Sequence, residues 1–201
     1  MNTQDYINVY GKRELQAEPE GCVVYSNYGF VILGAIVERV SGKSFDEYVR
    51  DHIFNVVGMN NSAVYKHDYQ SAECAIGYNE NKPIHFTGIG SPAGGSYASA
   101  HDMLRFAQGL ANHQLLNKES TELVMTGKVA AADYMYGYGL MDHKDADGVR
   151  WVGHGGGCIG MNTELRIYPN SGYTIVMLSN SNRWRPSIVS EFVGNLLPDV
   201  E

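Results

Sequence analysis

Apolar residues fill nearly every position from residue 28 to residue 40, and Ser41-Gly42 follows at once. That pattern predicts a buried helix ending on a C-cap glycine. Directly after it, Ser44-Phe45-Asp46-Glu47 has the spacing of a capping box, with Tyr48, Val49, Ile53 and Phe54 as the inward stripe of a second helix. Between residues 58 and 96 no period stands out, while glycine, proline and asparagine recur, so irregular structure with short strands is expected. A third helix should start at a Ser99 cap and turn Met103, Leu104, Phe106, Ala107 and Leu110 inward. A fourth should run over residues 118–125, before Gly127.

The period then shortens. Residues 136–141, 150–153, 164–168 and 173–179 read as β-runs divided by the turn sequences Asp145-Ala146-Asp147-Gly148 and Pro169-Asn170-Ser171-Gly172. This is the pattern of an antiparallel meander. Thr174-Ile175-Val176-Met177-Leu178 is continuously apolar, as expected of a central strand covered on both faces, and Pro186 suits the first turn of a closing helix through Phe192 and Leu196. No repeat, low-complexity tract or linker interrupts the chain, so one domain is expected over residues 1–201. It would hold a mainly helical and irregular lobe at 28–126, then strands and a closing helix at 134–201.

Composition narrows the function classes. The chain has 201 residues, enough to bury on the order of 70% of its unfolded surface. With 14 tyrosines and 23 glycines it is expected to be loop-rich around a cleft. A formal net charge of -7 and the lack of a basic cluster leave a nucleic-acid partner unsupported. Cys22, Cys74 and Cys158 are widely spaced without a C-x-x-C, which argues against a disulfide framework and a zinc site and for free thiols. No apolar run approaches the roughly 18–20 residues of a membrane span, and residues 1–10 are polar. The chain as it stands is expected in the cytoplasm; a preceding export signal would instead place it in the periplasm or outside the cell.

Two short motifs carry candidate chemistry. In Tyr25-Ser26-Asn27, the phenol of Tyr25 is a base only beside positive charge or within a proton-passing network; otherwise it is a buried tyrosine satisfying a helix start. Asn27 offers a donor and an acceptor for orienting a substrate amide or ester, and is also a good cap for the helix that follows. In His154-Gly155-Gly156-Gly157, the imidazole offers a donor to a substrate carboxylate or to Tyr25, or is a strand-edge histidine satisfied by backbone. The glycines allow close approach of a ligand, or mark a turn or bulge. A metal site among Asp142, His143, Asp145, His154 and Cys158 has no short ligand spacing behind it. Arg183, Trp184 and Arg185 line a pocket mouth or form a surface patch at a helix start.

The context of these motifs resembles a known family. Tyr25-Ser26-Asn27 runs into the apolar helix, then come His52-Ile53-Phe54 with Gly58-Met59, the stretch from Pro92-Ala93-Gly94-Gly95 to His101-Asp102-Met103, Tyr136-Gly137-Tyr138-Gly139, and His154-Gly155-Gly156. In this order they resemble the penicillin-recognising serine hydrolases of the class C β-lactamase type, with their related esterases and D-alanyl-D-alanine peptidases, from about residue 6 to residue 197. The family pattern has three parts, Ser-x-x-Lys, Ser-Asp-Asn and Lys-Thr-Gly. The resemblance puts Tyr25-Ser26-Asn27 on the second and His154-Gly155-Gly156 on the third. No serine has a lysine three positions on, and Ser62 with Lys66 comes nearest at four. The chain is therefore expected to be the C-terminal two thirds of an enzyme whose nucleophile lies on an absent segment.

The resemblance implies an α+β, β-lactamase/transpeptidase-like fold, an antiparallel sheet flanked by helices with a mainly helical lobe. It implies that Tyr25 and His154 face each other across a cleft. Gly157 would give one oxyanion-hole amide, and Asn27, Gly155 and Gly156 would contact a small-molecule or peptide-like acyl substrate. Acylation and deacylation by water would act on an ester, amide or β-lactam bond, and no metal or organic cofactor is implied. Histidine where β-lactamases carry lysine points toward the esterases and peptidases. Two alternatives stand beside this: a catalytically inactive ligand-binding module, and a structural fragment that self-associates or pairs with another chain.

Overall fold

The computed structural model describes residues 3–14, 17–18, 23–64, 74–84, 90–144, 148–181 and 185–198. Cys22, Lys66, the turn at 145–147, Arg183 and Trp184 lie outside the described residues. Helix α1 (Thr3–Tyr10) packs against α2 (Asn27–Ser41). The Ser26 hydroxyl accepts from the Gly29 amide at the start of α2, and Gly42, in the left-handed region at φ 70°, closes it. Ser26 thus takes the capping role that its neighbour Asn27 was also suited to. Then α3 (Phe45–Val49) runs through a π-helical turn at Arg50–Phe54 into α4 (Asn55–Val57). The Glu47 carboxylate reaches back to the Ser44 amide at 3.0 Å, as the sequence predicted.

Helix α2 is not buried as expected. Only Val31 and Gly34 are buried, while Leu33, Ile36 and Val40 are 56%, 53% and 82% exposed. Gly34 marks its one tight contact, since a Cβ there would lie 2.0 Å from Pro92 Cγ. The irregular region contains a short hairpin, β1 (Gly77–Asn79) and β2 (Lys82–Ile84).

Helix α5 (Ala100–Ala111) begins at Ser99, whose hydroxyl accepts from the Asp102 amide, and α6 (Lys118–Val124) begins at Asn117. One six-stranded antiparallel sheet follows in sequential order: β3 (Val129–Ala131), β4 (Tyr134–Tyr136), β5 (Met141–Lys144), β6 (Arg150–Cys158), β7 (Met161–Ile167) and β8 (Thr174–Ser179). The expected run at 136–141 is instead a tight turn between β4 and β5, closed by the Gly137 amide on the Leu140 carbonyl. Among the described residues β8 pairs on one side alone, with β7. Its unbroken apolar sequence reflects cover on both faces, by α5 and by the closing helix α7 (Pro186–Gly194). The core lies between α5 and the sheet, where Ala107, Leu110 and Met125 meet Val152, Leu165 and Ile167. On the other face Arg166 bonds Glu164 at 3.0 Å, lies over the Trp151 ring and donates to the Ser187 carbonyl on α7. No helix among the described residues is long and apolar enough to cross a membrane.

A buried carboxylate joins the helical region to α5. Asp102, 0% exposed, accepts from the Asn61 amide at 2.6 Å and the Ser62 hydroxyl at 2.8 Å, while Arg105 donates to the Gly58 carbonyl. Asp102→Ala leaves these part-buried donors without their acceptor and should cost about 2 kcal/mol in urea denaturation; a loss under about 0.5 kcal/mol would remove the clamp from this account. A second carboxylate sets an acid limit. Burial disfavours the charge on Asp142, but the Arg150 side chain and the Gly127 amide outweigh it and hold its pKa below the usual 3.8. A depressed folded pKa adds stability above the unfolded value and loses it as pH falls through the folded one. Asp142→Asn should therefore be less stable than wild type near neutrality, with the gap closing in acid; a gap that stays constant across the series would contradict the assignment.

Candidate active site

Tyr25 ends an extended segment before α2, and Asn27 is the first residue of that helix. His154 and Gly155, Gly156 and Gly157 lie in the second half of β6, which runs well past the expected end at residue 153. Fold and sheet bring these two distant stretches together. Tyr25, Asn27, His154, Gly155, Gly156 and Gly157 all line one cleft of about 1780 Å³. The Tyr25 and His154 rings stand 6.0 Å apart, centroid to centroid, inclined by 39°.

The side-chain partner of His154 is another tyrosine. Tyr136, at the end of β4, places its hydroxyl 3.3 Å from His154 Nε2, and its ring meets Tyr25 edge-on at 6.1 Å. On the other side of the imidazole, Nδ1 bonds the Gly155 carbonyl. Burial, and then the phenols of Tyr25 and Tyr134, push the Tyr136 pKa up to about 12. Tyr136 is thus a protonated phenol throughout the working range. Sequence reasoning quoted Tyr136 within a motif but gave it no role. The available signal was Tyr134-x-Tyr136, whose spacing of two puts both rings on one face of a strand ahead of a glycine turn.

The glycines of β6 have different reasons for being there. A Cβ on buried Gly153 would sit 1.9 Å from the Leu165 carbonyl oxygen, so this glycine is demanded by strand packing. At Gly155 it would lie 2.8 Å from the Glu164 carboxylate, and at Gly156 2.9 Å from the Thr163 hydroxyl. Thr163 is an exposed side chain with room to rotate. Gly157 is exposed at the cleft margin beside Cys158, whose thiol burial pushes up and so keeps from being a ready thiolate.

Two of the residues considered for a metal are engaged elsewhere. Asp142 binds Arg150 at 2.7 Å and His143 stacks on Trp151 at 5.2 Å. No three His, Cys, Asp or Glu side chains form a metal-binding group among the described residues.

Comparison with known proteins bears on the family and the fold. Residues 2–192 match the Beta-lactamase family model. The chain is 29% identical to "Penicillin-binding protein 4*" of Bacillus subtilis (strain 168), over 88% of its own length and 44% of that protein's. It superposes on the penicillin binding protein from Bacillus halodurans with a TM-score of 0.89 at 28% identity, covering 98% of this chain and 63% of the other. A D-stereospecific amidohydrolase from Streptomyces shares the fold, with a TM-score of 0.82 at 22% identity, over 96% of this chain and 62% of that one. The chain spans about half the length of the curated relatives it matches. The fold is thus the α+β, β-lactamase/transpeptidase-like one.

Glycine substitutions separate packing from site. Gly153→Ala should cost more than about 3 kcal/mol or prevent folding, because a carbonyl cannot move out of a ladder, while Gly156→Ala should stay within about 1 kcal/mol. Equal costs in thermal melts would show that the two are not distinguished by packing.

Proposed function

Because the chain belongs to the Beta-lactamase family, a family of serine hydrolases, we propose that it forms the cleft side of such a hydrolase, acting on an ester, amide or β-lactam bond through an acyl-enzyme. The observation that carries this reading is the convergence of Tyr25, Tyr136, His154 and the Gly155–Gly157 strand on one cleft. In this reading Tyr25 serves proton transfer, and His154 with its partner Tyr136 borders the substrate. The Gly157 amide stabilises the oxyanion, and Asn27 orients the substrate.

The nucleophile, in the same proposal, comes from a segment outside these residues. Two features support that. The cleft exceeds the roughly 300–1,000 Å³ of small-ligand sites, which leaves room for a polypeptide element beside a substrate. Val23, Val24, Tyr25, Phe30 and Leu33 also line an adjoining apolar hollow of about 350 Å³, next to the exposed face of α2. A helix bearing Ser-x-x-Lys would cover such apolar surface and bring its lysine charge beside the Tyr25 phenol.

The exposed stripe Ile188, Phe192 and Leu196, with the β8 edge, favours a second reading in which another chain covers that side. Light scattering decides it, since a monomer at all concentrations removes it.

Fluorescent penicillin and p-nitrophenyl acetate, read out by mass spectrometry, test the main proposal. The chain alone should form no adduct, and fusion of a Ser-x-x-Lys segment ahead of it should give one on the supplied serine, reduced at least tenfold by Tyr25→Phe. An adduct on a residue of this chain itself would overturn the proposal.

A further inference from the structure

We propose that Tyr136 is a positioning residue, holding His154 in the tautomer with its proton on Nδ1 and leaving the pair with an acceptor, not a donor, turned to the cleft. The argument begins at the backbone. A carbonyl oxygen only accepts, so the bond between His154 Nδ1 and the Gly155 carbonyl requires a proton on Nδ1. In the neutral ring Nε2 is then a lone pair. What faces that lone pair at 3.3 Å is the Tyr136 hydroxyl, which donates its only proton to it.

The reverse arrangement fails on both sides of the ring. A proton on Nε2 would aim the Nδ1 lone pair at the lone pairs of the Gly155 carbonyl, and Tyr136 would have to accept while losing its own partner. The phenol is also kept protonated by burial and by its neighbours Tyr25 and Tyr134, so the donor persists wherever the imidazole is neutral. Tyr136 itself lines the cleft, and once its proton is committed its oxygen retains lone pairs for a ligand N–H. Ring contacts hold this geometry: Tyr136 meets His154 edge-on at 84° and 6.0 Å, and Tyr134 flanks it at 6.3 Å.

The consequence for ligands rests on the hydrolase reading, whereas the tautomer does not, and its test needs no catalysis. Long-range proton–nitrogen NMR of the ¹⁵N-labelled chain, at mildly alkaline pH and with His154 assigned through His154→Gln, reads the protonation of each ring nitrogen. The wild-type ring should show Nδ1 protonated and Nε2 as a hydrogen-bonded acceptor. In Tyr136→Phe the Nε2 signal should move to that of a lone pair without a donor and the share of the Nε2-protonated form should rise, while the Gly155 carbonyl still favours the proton on Nδ1. A wild-type ring already protonated mainly on Nε2, or one indifferent to Tyr136→Phe, would overturn the proposal. Should that variant not fold, a fluorinated tyrosine at position 136 keeps the ring and strengthens the donor. It should shift Nε2 while leaving Nδ1 in place, and an unmoved Nε2 would count equally against the assignment.

Discussion

The close approach of β6 to β7 is the constraint on which the site depends. These strands pair in register from Val152 opposite Ile167 to Cys158 opposite Met161, with no side chain at positions 153, 155, 156 and 157 to hold them apart. Gly153 sits so near the Leu165 carbonyl that no Cβ fits. Leu165, drawn in by that approach, enters the core with Val152 and Ile167. His154, paired with Leu165, is thereby fixed at the boundary between core and cleft. At Gly153 glycine is therefore a packing requirement, and beyond it the strand continues to an open margin at Gly156 and Gly157.

The other half of the site is placed by a polar contact. Tyr25 precedes α2, and α2 meets the rest of the molecule through its neighbours α1 and α3 and through the Gly34–Pro92 contact. Asp102 ties the loop after α4 to α5, and α5 packs on β8. A chain of rigid elements thus runs from the segment bearing Tyr25 to the strand bearing His154. Apolar packing alone would leave this path loose, because much of α2 faces outward. A buried carboxylate oxygen that accepts from both an amide and a hydroxyl is directional, and so it fixes an orientation that a greasy contact does not.

Local signals were legible in the sequence and positional ones were not. The Gly42 stop, the Ser99 cap and Pro186 at the start of α7 depend on a few neighbouring residues and were read correctly. The convergence of Tyr25 with the His154 strand came from motif resemblance, since no periodicity reports a contact between such distant positions. The burial of α2 was misread because an apolar helix reports what it can cover, not whether anything covers it. Asp102 was quoted within a motif but given no role, as a charged residue on a predicted helix reads as solvent-facing until its partners at positions 61 and 62 are seen.

Tyr136 shows how a short contact changes the meaning of a residue recognised from its motif. Histidine in place of lysine suggests at first a weaker cation doing the same work, donating to a ligand carboxylate. The bond from Nδ1 to the Gly155 carbonyl removes one ring nitrogen from that task, and Tyr136 occupies the other. A neutral imidazole so engaged offers a carboxylate nothing, and the phenol oxygen above it repels one. In the hydrolase reading, recognition at this point then turns from charge to hydrogen-bond polarity, favouring a group that carries an N–H. The acidic Glu164 nearby does not restore an anion site, and its charge is already matched by Arg166 on the same strand. On that reading, histidine in the place of the family's lysine alters the sign of what the strand presents, and it does so through a tyrosine two strands away.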